Sequence, residues 1–169
     1  MEILVTAAAY AAAWAMVPLL LVLPHELGHA LAALVGGAGR VDIVVGGEPR
    51  RLGFSLPRLS VRMRLLNSPK WVWYGIFRSE LEGASRWSRI TVSAAGPLTT
   101  LALMILYAAL ASATGGFLRW FFLFLAFGGA WAFLVTAAPI RYGRFFGPYE
   151  GRVSDGYRIR ETLTARPGT

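Results

Sequence analysis

The chain has 169 residues, 56% of them hydrophobic and 15% charged, with a mean hydropathy of +0.52 and a formal net charge of +8. The length suits one domain, and so apolar a composition excludes an ordinary water-soluble globule. Sixteen of the 17 basic residues are arginines (Lys70 is the exception) and there is no cysteine, so disulfides and thiolate metal sites are excluded, and an anionic lipid surface is a better partner for the basic residues than nucleic acid.

In chain order, residues 3–35 form the first apolar stretch. A bilayer core of ~30 Å needs ~20 helical residues, so this stretch is longer than a span requires. Pro18 and Pro24 each lack a backbone donor, which predicts kinks. No basic segment precedes the stretch, so it reads as a retained span and not a signal peptide. Residues 40–66 change character: VDIVV, RLGFSL and LSVRMRLL are short, β-branched or alternating, and are separated by GGEP and PR. They predict two or three short strands. WVWYGIF at 71–77 is an aromatic cluster suited to a membrane interface, and 79–89 reads as a loop or short surface helix. Spans are predicted at 90–110 and 120–140, antiparallel across the turn 112–119. The tail 141–169 ends in YRIRETLTA, a helix that Ser154 or Asp155 would cap.

Ten Lys/Arg lie in residues 36–90 and six in 141–169, while Arg119 alone lies in the turn between the later spans. The positive-inside rule then places the N-terminus outside and the C-terminus in the cytoplasm. The Arg, Ala and Gly bias suggests a bacterial plasma membrane.

Inside the first span stands HELGH, residues 25–29, which contains the only two histidines of the chain. On a helix, His25 and His29 at i and i+4 face the same way and can share one zinc ion, with Glu26 beside the water to be activated. HExxH also occurs by chance on solvated helix faces. Here that explanation is weak, because burying Glu26 in a span costs roughly 3 kcal/mol unless something compensates. A catalytic zinc site uses three protein ligands plus water. Without cysteine or further histidine, the third must be a carboxylate: Asp42, Glu48, Glu80, Glu82, Glu150, Asp155 or Glu161, with Glu2 on the wrong side. Asp155, followed by Gly156, is attractive as a turn into the site, but a helix cap accounts for it equally well.

HELGH, SAAGPLTT (93–100) and TAAPIRYGRFFGPYEGRVSDG (136–156), in this order on three spans, resemble the site-2 proteases, intramembrane zinc metalloproteases. The resemblance covers the chain to about Ile159. It implies a mainly α membrane protein: a three-helix core in one domain, 1–169, with a small β-sheet inserted after the first helix. It implies zinc on His25, His29 and Asp155, Glu26 as general base, and hydrolysis of peptide bonds in or near transmembrane segments of other membrane proteins. An edge strand of the inserted sheet would pair with an unwound substrate. Thr100 and Thr136 stand where the family has asparagines that contact substrate or support the site, and a single hydroxyl offers fewer bonds. Pro139 and Asp155 lie farther apart than in the family, with Gly143, Gly147 and Gly151 suiting a flexible hairpin between them. Nothing hydrophobic follows the Asp-Gly pair, as in a minimal three-span member. Gly96 and Pro97 read as helix packing. The alternative is a catalytically silent scaffold of the same fold that binds single-span partners, though such a protein has no need for Glu26.

Overall fold

A computed structural model describes residues 2–46, 52–64, 69–79 and 83–165, with side chains described from Tyr10 onward except at 69 and 70. Helix α1 (Glu2–Val17) runs through a π-helical turn (Pro18–Val22) into α2 (Leu23–Val35). Strands β1 (Val41–Val45), β2 (Leu52–Ser55) and β3 (Leu59–Met63) follow, then a single turn α3 (Pro69–Val72) and β4 (Gly75–Ser79). Helices α4 (Arg86–Ala113) and α5 (Gly116–Ala137) form a hairpin, and a 3-10 turn (Arg144–Tyr149) leads to α6 (Asp155–Thr164). Tyr10–Val35, Arg86–Ala113 and Gly116–Ala137 are long and apolar enough to cross a membrane. The expected spans at 3–35 and 90–110 lie on these helices, and the third expected span, 120–140, overruns its helix by three residues beyond Ala137.

The first span does not break at its prolines. Pro18 opens the π turn, and the Leu23 amide bonds the Pro18 carbonyl five residues back. Pro24 has no N–H for the Leu20 carbonyl one turn earlier. The Tyr107 hydroxyl of α4 donates to that carbonyl instead, at 2.9 Å. The helix stays continuous because a neighbour replaces the lost donor. The expected turn 112–119 shrinks to Thr114 and Gly115, because α4 and α5 extend into it. Likewise the expected loop at 79–89 gives its last residues to α4, whose first turn is capped by Ser85 accepting from the Ser88 amide at 3.1 Å.

The sheet order is β2-β3-β1-β4. β1 pairs in parallel with β3 and antiparallel with β4, while β2 and β3 form an antiparallel hairpin. Val41, Ile43 and Val45 are fully buried, and Val61 of β3 packs with them against α2. Asp42 alternates outward, near Arg62 at 3.8 Å and Arg40 at 4.0 Å. Of the two or three strands expected over 40–66, three are present. A fourth strand lies outside that window: WVWYGIF forms a helical turn followed by an edge strand. Its aromatics turn inward, with Trp73 edge-on to Trp14 at 6.0 Å and Phe77 stacked on His29 at 5.6 Å.

Candidate metal centre

α2 presents His25 and His29 to α4, one helical turn apart. The two helices approach closely because residues at the contact are small. A Cβ on Gly28 would collide with Thr99 and lie 2.8 Å from the Ala95 carbonyl oxygen, and a Cβ on Gly96 would overlap the His29 ring. Gly96 is therefore more than general packing: it is the floor on which the imidazole lies.

Each ring is held by its Nδ1. His29 Nδ1 donates to the Val92 carbonyl at 2.6 Å, which makes its Nε2 a bare lone pair. His25 Nδ1 lies 2.8 Å from Thr100 Oγ1, and that hydroxyl lies 3.2 Å from the Gly96 carbonyl. With Thr100 donating to Gly96, His25 Nδ1 donates to Thr100, and its Nε2 is bare as well. Orientation of ligating histidines through the far nitrogen is the usual support of a metal site. Thr100, buried at 1% exposure, thus supports the site from behind His25. Thr136 lines a cavity that His25 and His29 also border, but its hydroxyl bonds to the Ala132 carbonyl of its own helix at 2.9 Å.

Asp155 arrives from the other end of the chain. Ser154 caps α6 by accepting from the Tyr157 amide at 3.1 Å, and it is tied to the end of α5 through the Ala138 carbonyl at 2.5 Å and the Ile140 amide at 3.1 Å. A Cβ on Gly156 would collide with the Ala137 carbonyl, so glycine is what lets α6 begin so close to α5. The helix-cap and ligand readings of this segment are compatible: Ser154 is the cap, and Asp155 in the first turn is free to face the histidines.

His25 Nε2 and His29 Nε2 are 3.2 Å apart, and Asp155 Oδ2 is 3.4 Å from the first and 3.3 Å from the second. Two lone pairs facing each other at that distance repel unless a cation or proton lies between them. Ligands ~2.0–2.1 Å from a tetrahedral zinc stand about 3.3 Å apart, so the triangle has the size of one face of such a site. The donor set, two imidazoles and one carboxylate, matches catalytic zinc. Burial alone would raise the Asp155 carboxyl, but where the Nε2 atoms carry protons in place of a metal, hydrogen bonds and charge from His25 and His29 outweigh it and hold the group well below the usual carboxylate range.

The other described carboxylates do not compete. Asp42 faces arginines on the sheet, Glu150 is exposed beside Arg144 at 3.5 Å, and Glu161 is exposed on α6. Glu48, Glu80 and Glu82, and the side chain of Glu2, lie outside the described residues. Among the described residues, the one His/Cys/Asp/Glu group able to share an ion is His25, His29 and Asp155.

Glu26 is 6% exposed and opens, with the histidines, onto a cavity of about 490 Å3. α2, β4, the C-terminal half of α5 and the segment from Tyr142 to Asp155 wall it. A Cβ on Gly75 would collide with Glu26 Oε1, so β4 meets the carboxylate where its strand has no side chain. The expected hairpin before Asp155 is present. An Arg141–Val153 bridge closes it, and Gly147 and Gly151 adopt positive φ. Its Tyr149 hydroxyl reaches the start of β4, accepting from the Gly75 amide at 2.7 Å. Burial raises the phenol pKa of Tyr149, and the nearby Glu26 charge adds to this. Burial, followed by the charge of Asp155, likewise raises Tyr142. Neither tyrosine, nor the Val92 carbonyl, carries a sequence signal that marks it as part of a site.

No protein-family model, curated protein or solved structure matches this chain.

Proposed function

We propose that this chain is a zinc endopeptidase of the site-2 type, hydrolysing peptide bonds in or near transmembrane segments of other membrane proteins. The observation that carries the reading is the convergence of His25 Nε2, His29 Nε2 and Asp155 Oδ2 within 3.4 Å of one another, beside Glu26, on helices long and apolar enough to cross a membrane. His25, His29 and Asp155 would hold the metal. Zinc there supplies the Lewis acidity that makes water a nucleophile near neutral pH. Glu26 takes the proton from that water and delivers it to the departing amine nitrogen. Burial of Glu26 and His29 strengthens each of these electrostatic interactions. β4, an edge strand bordering the cavity, offers its free backbone groups to an extended substrate segment. With the arginine distribution placing the C-terminus inside, the site opens toward the cytoplasmic side of a bacterial plasma membrane.

The test is zinc content per chain in detergent-purified protein, together with cleavage of single-span membrane peptides. Wild type should carry about one zinc and cleave, Asp155→Ala should lose both, and Glu26→Gln should keep zinc without cleaving. Folded wild type that takes up no zinc would refute the hydrolase. Zinc bound without cleavage, and a cellular role that survives Glu26→Gln, would establish the silent scaffold.

A further inference from the structure

Among the described residues, β4 is the outer strand of the sheet next to Glu26, and part of its outer edge is already occupied. In an antiparallel ladder, successive residues turn their N–H and C=O alternately toward and away from the partner. The Gly75 amide donates to Tyr149 Oη at 2.7 Å, and Tyr149 Oη lies 2.9 Å from the Gly75 carbonyl and 3.2 Å from that of Trp73. Gly75 therefore points its backbone away from β1. By the period of two, Phe77 and Ser79 do the same. A strand added to this edge would find three pairing positions, at Gly75, Phe77 and Ser79. At the first, one phenol already supplies both the acceptor and the donor that an incoming strand would bring.

The phenol is firmly placed. Its ring packs between Tyr74 at 5.1 Å and Tyr142 at 5.3 Å. The hairpin that carries it is closed by the Gly151 amide on the Tyr142 carbonyl at 2.8 Å and the Arg152 amide on the Tyr149 carbonyl at 2.9 Å. The filled position is also the one nearest the chemistry, because Gly75 is where β4 abuts Glu26.

We propose that Tyr149 is a register stop: it fills the Gly75 pairing position, so that a docked membrane-protein segment pairs with Phe77 and Ser79 only and leaves the ladder beside Glu26. This rests on the proposed endopeptidase reading and adds to it a residue that chooses which bond is presented. Side chains on a strand alternate between faces, so a slip of one residue would invert the docked segment and a slip of two would not. Without the stop, the allowed error is therefore two residues, a displacement of about 6.7 Å along the strand. Tyr149 acts here as a positioning residue.

The chain has no cysteine, so a single thiol can be placed on β4 with no background. In full-length, zinc-loaded Glu26→Gln protein carrying Ser79→Cys, disulfide formation is measured against single-span peptides with an Asn-Gly pair near the cytoplasmic end of the span. One cysteine is moved along the peptide residue by residue. With Tyr149 present, cross-linking should peak at one peptide position. Tyr149→Ala should add a second peak two residues away, of at least a third of the first peak's yield. Tyr149→Phe, which keeps the ring and loses both hydrogen bonds, should add a weaker second peak at the same place. Zinc content reports whether the Ala variant folds; if it does not, the Phe variant decides. A single unchanged peak in the folded variants overturns the stop. So does a one-residue shift, or faster cross-linking at the original position alone, which would make the hairpin a removable plug. Cross-linking at no position in any protein defeats strand docking and the stop together. Zinc uptake and cleavage of the same peptides by protein with Glu26 intact then show separately whether the endopeptidase reading survives.

Discussion

Gly96→Ala is the sharpest test of the metal centre, because it opposes two effects of different origin. A methyl at position 96 would overlap His29 Nε2 and lie 2.6 Å from Cε1 and 2.7 Å from Cδ2. Ordinary contact begins at 3.4 Å, so the ring must retreat by about 0.8 Å at Cε1, or α4 must move away from α2 by as much. The ring has little room, since Val92 holds its Nδ1 at 2.6 Å and Phe77 stacks on its face. Metal–ligand distances tolerate about ±0.2 Å. Losing only the support of a ligating histidine costs 10- to 100-fold in affinity, so displacing the ligand should cost at least about 100-fold. Helix propensity acts in the other direction, since Gly→Ala within a helix gains up to about 1 kcal/mol. Competition with a zinc chelator gives the affinity, and thermal unfolding of zinc-free protein gives the stability. Gly129→Ala is the control, because its Cβ would lie 3.3 Å from Met104 and away from the site. Gly96→Ala protein that binds zinc as tightly as wild type would refute the placement of His29.

Further outcomes follow from the same geometry. Thr100→Val keeps the shape and removes the hydroxyl behind His25; zinc affinity should fall 10- to 100-fold with the helices intact, read by chelator competition and circular dichroism. Ser154→Ala removes the cap of α6 and its ties to Ala138 and Ile140, and should destabilise the protein by about 1–2 kcal/mol while weakening zinc binding through Asp155. In zinc-free protein the depressed Asp155 pKa supplies stability at neutral pH, which is lost as pH falls below about 4, the ordinary aspartate value, toward the lower folded value. Asp155→Asn should flatten that part of an acid-unfolding curve. A reporter fused after Thr169 should register the cytoplasm, and a signal from the opposite side would reverse the proposed orientation.

What the sequence reveals tracks how local each signal is. Ile43 and its β-branched neighbours, bounded by glycines, announce β1 without help, and the spans follow from apolar length. β4 does not announce itself. Its aromatic residues suit an interface equally well, and its strand character comes from pairing with β1, about thirty residues earlier. His25, Glu26 and His29 are legible because one helix fixes their relation. Asp155 is less so, since six other candidate carboxylates share its chemistry and only the fold brings α6 against α5. Thr100 takes the supporting one of the two roles the resemblance offers, behind His25, and no local spacing tells those roles apart. Tyr149 was invisible, because an isolated tyrosine in a glycine-rich hairpin carries no spacing to read.

The π turn at Pro18–Val22 has a consequence for how the first span is tuned. A π turn holds one residue more than the helix needs, and one residue is about 100° of rotation. Above it, Tyr10 and Trp14 engage Trp120 and Phe124 of α5; below it, the histidines meet α4 and β4. The two halves of the span are thus phased independently, and the surplus residue acts as a setscrew between them. Removing Leu19 alone would restore a regular helix and swing the histidines a quarter-turn away from Val92 and Thr100. Residue count in this short segment, more than the identity of its leucines, sets where the HELGH face points.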